Sequence, residues 1–271
     1  MDNRPEMLRA FRKYINLDRT NAPAILKIGQ TLLSKQMPDQ ALIYLESANT
    51  LKPNDPMTMT LLARAYLHNK RRDDAAKMIE KISSATNGKI DDDMRAVLVD
   101  VYLESGNYGQ AITEINNLLA KKQTNALLLK LAKALYEVGK YTEAAKAVET
   151  IKATEPENLD AIMILGKIQV AQNSYDDAIE TYKEALYINP NIAQAMLERA
   201  NIYMLQTKLP WAKQFYERAL KIDPKLALAH LGLARVAKAS NDAATYKAEL
   251  DKARELDPQN NEIINEAKSQ Q

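Results

Sequence analysis

Along most of the chain, apolar side chains recur at three- and four-residue spacings, the periodicity of helices with one buried face. These helical stretches come in pairs, and the second member of a pair often ends near a proline. Pro53, Pro156, Pro190, Pro224 and Pro258 mark such ends. The last four stand 34 residues apart, and Pro156 lies three such intervals plus one residue beyond Pro53. A fixed period of this length signals stacked structural repeats. Aligning on the prolines predicts seven units, 22–55, 56–89, 92–124, 125–158, 159–192, 193–226 and 227–260, with residues 90–91 inserted and the third unit one residue short.

The units agree column by column. The eighth position reads Gly29, Ala63, Val99, Ala132, Gly166, Ala200 and Ala234, and the twentieth reads Ala41, Ala75, Ala111, Ala144, Ala178 and Ala212, with Tyr246 as the exception. The eleventh carries Leu32, Tyr66, Tyr102, Leu135, Gln169, Tyr203 and Ala237. The twenty-fourth carries Leu45, Ile79, Ile115, Val148, Tyr182, Tyr216 and Leu250. Small side chains at the eighth and twentieth positions let the two helices of a unit approach closely. Gly106 and Gly139 stand at the fifteenth position, in the turn between helices, where a left-handed residue is useful. The proline at the thirty-second position stops the second helix. One helix pair cannot bury its own apolar face, so neighbouring pairs must stack.

This pattern resembles the tetratricopeptide repeat (TPR) family: a large residue, then Leu, small, Tyr, later Ala, an aromatic and a closing Pro. The resemblance implies an all-α fold, a right-handed superhelical solenoid of antiparallel helix pairs. Residues 1–21 then read as a half repeat. Its segment 5–18 looks like a second helix whose first helix is missing, with Met7, Phe11 and Tyr14 at the twentieth, twenty-fourth and twenty-seventh positions. We therefore expect a fragment of a longer protein or a chain from which an anchor region has been removed. Residues 261–271, with Ile263, Ile264 and Ala267, suit a capping helix with a polar outer face.

Composition narrows the chemistry. Among 271 residues there are 7 Gly, 10 Pro, 2 Phe and 1 Trp, and apolar types make up 46%, which is poor material for sheets and good material for helices. Most glycines are used as punctuation or close contacts (Gly29, Gly106, Gly139, Gly166) or fall in the insertion (Gly88), leaving none for a phosphate-cradling loop. No cysteine is present, which removes disulfides, thiol nucleophiles and thiolate metal sites. The two histidines, His68 and His230, are far apart in repeat register and read as structural, so no shared catalytic or metal site and no cofactor is expected. Carboxylate pairs such as Asp176-Asp177 and the run Asp91-Asp92-Asp93 fall at helix starts, where they cap. Trp211 after Pro210 is expected to cover a junction between units, and Tyr66, Tyr102, Tyr182, Tyr203 and Tyr216 to pack in the core. Basic and acidic residues number 37 and 35, too balanced for a dedicated nucleic-acid or anionic-membrane binder. No stretch approaches the roughly eighteen apolar residues of a membrane span. The start Met1-Asp2-Asn3-Arg4-Pro5 has no signal-peptide core, which leaves the compartment, cytoplasmic or periplasmic, open.

In the TPR family the first helices line a concave groove that holds an extended peptide or a partner's helix, so the resemblance implies a non-catalytic protein-interaction scaffold. The inward columns give the candidate partner-binding residues Lys27, Gln30, Arg64, Asp93, Asp100, Glu104, Lys130, Lys133, Glu137, Lys167, Glu198, Asn201 and Arg235, with His68 and Asp160 beside them. Apolar surface between them is expected from Leu33, Leu61, Leu67, Leu103, Tyr136, Ile164, Met204 and Leu205. The third unit reads as acidic, helped by Asp91 and Asp92, and the fourth as basic, helped by Lys121 and Lys122. That contrast suits a partner with its own charge pattern and apolar anchors. The carboxylate clamp of chaperone-binding TPR domains is absent as a set. Lys130 and Lys133 stand at the sixth and ninth positions rather than the second and sixth, and Asn201 has Leu197 one turn earlier. The diverged columns and Lys/Asn-rich loops look like TPR proteins of the bacterial cell envelope, which organise secretion, pilus or polysaccharide assembly. Two other readings stay open: a regulatory or substrate-docking arm of a larger enzyme, and RNA binding, which the balanced charge disfavours. Self-association is left open by the sequence.

Overall fold

The computed structural model describes residues 4–86 and 90–268. Gly88, residues 1–3 and the last three residues of the C-terminal cap lie outside the described residues. Among the described residues there are sixteen helices and no strand, and the chain divides into two compact units, Met1–Val138 and Gly139–Gln271.

The first unit opens with α1 (Arg4–Leu17) and continues with the pairs α2 (Ala22–Ser34) and α3 (Pro38–Leu51), α4 (Pro56–His68) and α5 (Arg72–Thr86), and α6 (Asp92–Glu104) and α7 (Tyr108–Leu119), closing with α8 (Asn125–Glu137). The second unit has the same plan. It runs from α9 (Tyr141–Thr154) through α10 (Leu159–Ala171) and α11 (Tyr175–Ile188), α12 (Ala193–Leu205) and α13 (Leu209–Ile222), and α14 (Ala227–Ala239) and α15 (Ala243–Leu256), to α16 (Asn261–Lys268). Within each unit a helix packs on its partner and on the next pair, which is the arrangement of a TPR stack.

Local chemistry explains the helix limits. Asn21, Asp55, Asp91, Thr124 and Asn158 each precede a first helix, and each side chain accepts from the backbone N–H three residues on. The second helices α3, α11, α13 and α15 stop at Leu51, Ile188, Ile222 and Leu256, two residues short of a proline that could not continue them. The turns between paired helices hold a left-handed residue: Gln36, Lys70, Gly106, Gly139, Asn173, Thr207 and Asn241 all have φ between 56° and 78°. Glycine was the expected occupant of this position, but five of the seven turns use other residues. The demand comes from the backbone. In α2, Gln36 N–H bonds Leu33 O and Met37 N–H bonds Leu32 O, the paired closure that ends a helix and sends the chain back.

The core follows the columns. The alanines of the twentieth column at 41, 75, 111, 144, 178 and 212 are completely buried, and so is Tyr182. A Cβ on Gly29 would stand 2.5 Å from Leu45, and one on Gly166 would stand 2.5 Å from the Tyr182 ring, so the eighth column is small because the twenty-fourth lies on it. Gly232 belongs to no small column in the sequence, yet its Cβ position is filled by the ring of Tyr216 from the preceding second helix. Tyr66 and Tyr216 are buried as expected, while Tyr102 and Tyr203 are half-buried.

Candidate functional site

The exposed edges of the first helices carry the candidate residues. In the first unit three of them converge. Asp100 on α6 bonds Lys130 on α8 through Oδ1, while its Oδ2 lies 3.8 Å from an Arg64 guanidinium nitrogen on α4. One turn on, His68 Nε2 stands 3.9 Å from Glu104 Oε1. The acidic third and basic fourth repeats therefore neutralise each other across adjacent helices. Lys121 likewise reaches back to Asp92 at 2.6 Å. Asp91 is used as the α6 N-cap. Partly exposed pairs of this kind contribute about 0–1 kcal/mol each, so their main effect is to set which side chains stay available. Glu137, Lys133 and Asp93 are exposed with no ion pair among the described residues, and Lys27 reaches only Gln30, at 3.4 Å.

In the second unit the candidates Glu198 and Asn201 are held by hydrogen bonds. Glu198 accepts from Gln194 at 2.7 Å and from Asn201 at 3.4 Å, and Asn201 Oδ1 accepts the Tyr216 hydroxyl at 2.8 Å. Burial raises the pKa of that hydroxyl above its ordinary value, with Glu198 nearby adding to the effect, so it remains a donor. Arg235 is engaged by the closing helix, with Glu266 at 3.0 Å and Glu262 at 3.4 Å. Two of these contacts share a register. The ninth residue of one first helix meets the sixth of the next in Asp100–Lys130 and again, with the signs exchanged, in Arg235–Glu266. Lys167 and Glu198 occupy the same two columns without an ion pair.

Several expectations change. Leu61 and Ile164 were expected on the open surface, but both are buried, since a first helix turns its sixth position toward the helix before it. Leu33, Leu67, Leu103, Tyr136 and Met204 are half-buried, and Leu205 is open to solvent. Trp211 does not cover a junction. It is 55% exposed at the start of α13, with its ring tilted against Tyr203 at 6.1 Å. Tyr14 is 49% exposed rather than packed, while Met7, Leu8, Phe11 and Ile15 make the contacts of α1. Asp176 and Asp177 belong to the first turn of α11. His230 is buried and structural, its Nδ1 2.6 Å from Glu249 and its Nε2 facing the Pro224 carbonyl. Glu266 was missed, although it lies 34 residues after Gly232, in the sixth column, and that spacing places it among the candidates. Among the described residues, no three His, Cys, Asp or Glu side chains converge where they could hold a metal ion.

Tetratricopeptide repeat family models match residues 32–91, 96–149, 129–191 and 165–227. Solved structures are similar in fold. A tetratricopeptide repeat protein from Parabacteroides merdae is 15% identical, with a TM-score of 0.73 over 90% of this chain and 96% of that one. The C-terminal part of a TPR repeat-containing protein from Cytophaga hutchinsonii is 19% identical, with a TM-score of 0.55 over 89% and 98%. A thermophilic TPR protein from Thermus thermophilus is 21% identical, with a TM-score of 0.57 over 66% and 98%. No curated protein sequence matches the chain. The matched models span well over half of the residues, so the chain belongs to the tetratricopeptide repeat family, a fold that generally serves protein interaction rather than catalysis.

Proposed function

We propose that this chain is a non-catalytic scaffold that holds an extended peptide or helix of a partner protein on the exposed edges of its first helices, within a larger assembly. The observation that carries the reading is the mixture on that face: exposed Glu104, Lys133 and Glu137 on α6 and α8, interleaved with half-buried Leu103 and Tyr136. Exposed charges, of which Lys133 and Glu137 make no ion pair among the described residues, beside apolar side chains are what a mixed-charge peptide with apolar anchors needs. Asp100 and Lys130 contribute less directly, because each already satisfies the other. The Lys/Asn-rich loops favour a bacterial envelope assembly, such as secretion, pilus or polysaccharide machinery, as the setting. Among the described residues no helix is long and apolar enough to cross a membrane.

The test is capture of partners from native lysate by the wild type and by two charge-reversed forms, Glu104→Lys with Glu137→Lys, and Lys133→Glu. Loss of the same captured protein in both, with unchanged helical content and melting, supports the reading. Undiminished capture by both would remove the first-helix face from consideration.

A further inference from the structure

The groove between α1 and α2 is an apolar surface that the rest of the chain shows how to fill. It encloses about 470 Å³ and is lined by Ala10, Phe11 and Tyr14 on α1 and by Ala24, Lys27, Ile28 and Thr31 on α2. In repeat register Phe11 and Tyr14 are the twenty-fourth and twenty-seventh residues of their unit. In three other units these columns are sealed by neighbouring first helices: Leu45 and Ala48 on α3, Tyr182 and Ala185 on α11, and Tyr216 and Ala219 on α13 are all at most 2% exposed, while Ile79 on α5 is half-buried. The α2 wall tells the same story. Its counterparts on α4, Thr58, Leu61, Leu62 and Ala65, are at most 2% exposed, whereas Ala24 and Thr31 are half-exposed and Lys27 is open. The groove thus has the shape of a first-helix site, and among the described residues no first helix lies in it.

We infer that this groove docks an amphipathic α-helix of a partner protein, one with a small residue facing Phe11 and an acidic residue directly after it facing Lys27. The small residue follows from the way Gly29 receives Leu45 and Gly166 receives Tyr182: a large twenty-fourth side chain leaves no room for a Cβ branch opposite. The acid follows from the register of Asp100–Lys130 and Arg235–Glu266, in which a ninth-position charge meets the opposite charge at the sixth position of the next first helix. Lys27 is a sixth-position residue that, among the described residues, bonds only Gln30, at 3.4 Å, so it stands ready for a carboxylate. Basic residues also predominate on α1, where Arg4, Arg9, Arg12 and Lys13 stand against Glu6. The site shares Lys27 with the first-helix face but uses none of Glu104, Lys133 and Glu137, on which the proposed function rests, so the two can be tested apart.

The probe is a fluorescein-labelled peptide of residues 91–105 carrying Val99→Ala, which presents Ala followed by Asp100, and a companion that also carries Asp100→Lys. Fluorescence anisotropy with the full chain should show micromolar binding of the acidic peptide and about tenfold weaker binding of its Lys companion, a preference that Lys27→Glu should reverse. Phe11→Ala and the surface variant Tyr14→Ala should each weaken both peptides, while Glu104→Lys and Lys133→Glu should leave them unchanged. Hydrogen exchange of α1 should slow when the acidic peptide binds. The inference is overturned if neither peptide binds, or if Lys27→Glu leaves the preference as it was. It is equally overturned if light scattering finds a multimer that Lys27→Glu dissociates, because the occupant would then be a second copy of this chain.

Discussion

The 14-residue α1 fully buries none of its side chains, whereas α16, at 8 residues, buries Ile263 completely. Glu266 on α16 also accepts from Arg235, Lys238 and Tyr246 at 2.8–3.3 Å. Length and apolar content would favour the opposite order. The difference lies in what each helix meets. Ile263 drops among Leu231, Ala234, Leu250 and Ala253 of the preceding pair, while Phe11 and Ile15 rest on one flank of the α2–α3 pair with their other side open. A terminal helix is held by the number of helices that surround it, and this is why α1 presents a surface and α16 closes one.

Three experiments sharpen that contrast. Ile263→Ala should have the largest effect, a loss of about 3 kcal/mol in the stability of the final helices, because a fully buried side chain leaves a cavity. Denaturant titration of the full chain, with hydrogen exchange to localise the loss to α14–α16, reads it. Phe11→Ala should cost only about 1 kcal/mol, since the ring is only partly buried and little void is created. Hydrogen exchange should then show faster opening of α1 with α4–α8 unchanged. If the two losses prove equal, the contrast between the ends is wrong.

The smallest effect concerns pH. Burial acts to raise the Glu266 pKa, but bonds from Lys238 and Arg235 outweigh it and hold the carboxyl below its ordinary 4.5. A folded-state pKa below the unfolded value means that the stabilisation is complete above about pH 4.5 and is lost as the pH falls through the depressed value. Protection of α16 amides should decline in that acidic window and not between pH 6 and 8. Glu266→Gln should flatten the acidic decline, at a cost below about 1 kcal/mol at neutral pH. A decline of equal size in the variant would show that other groups are responsible.

Much of the helical layout is legible in the sequence, since amphipathic period, small columns and prolines act locally and repeat. Gly29 and Gly166 could be read as contact points because a repeating column names them. Gly232 could not, because the ring that fills its space belongs to the preceding unit. The left-handed residue at each helix turn was visible only where it was glycine. At Lys70 and Thr207 the packing of the following helix holds a β-branched or long side chain in a conformation that costs about 1–2 kcal/mol. The candidate surface was less legible still. Its columns were found, but whether Leu61 faces solvent or a neighbour, and whether Asp100 is free or engaged, depends on side chains a whole repeat away.

What the sequence by itself determined is the set of helices and the register that relates them, because hydrogen bonding within a turn and a 34-residue spacing are properties of the chain alone. The tertiary structure decided which charges remain for a partner and which surface is left unfilled. Arg64, Asp100 and Lys130 spend their charges on one another, and Phe11 and Tyr14 line an open groove beside Lys27. Both outcomes are set by which helix stands next to which, and burial and pairing do not exist until that neighbour is in place.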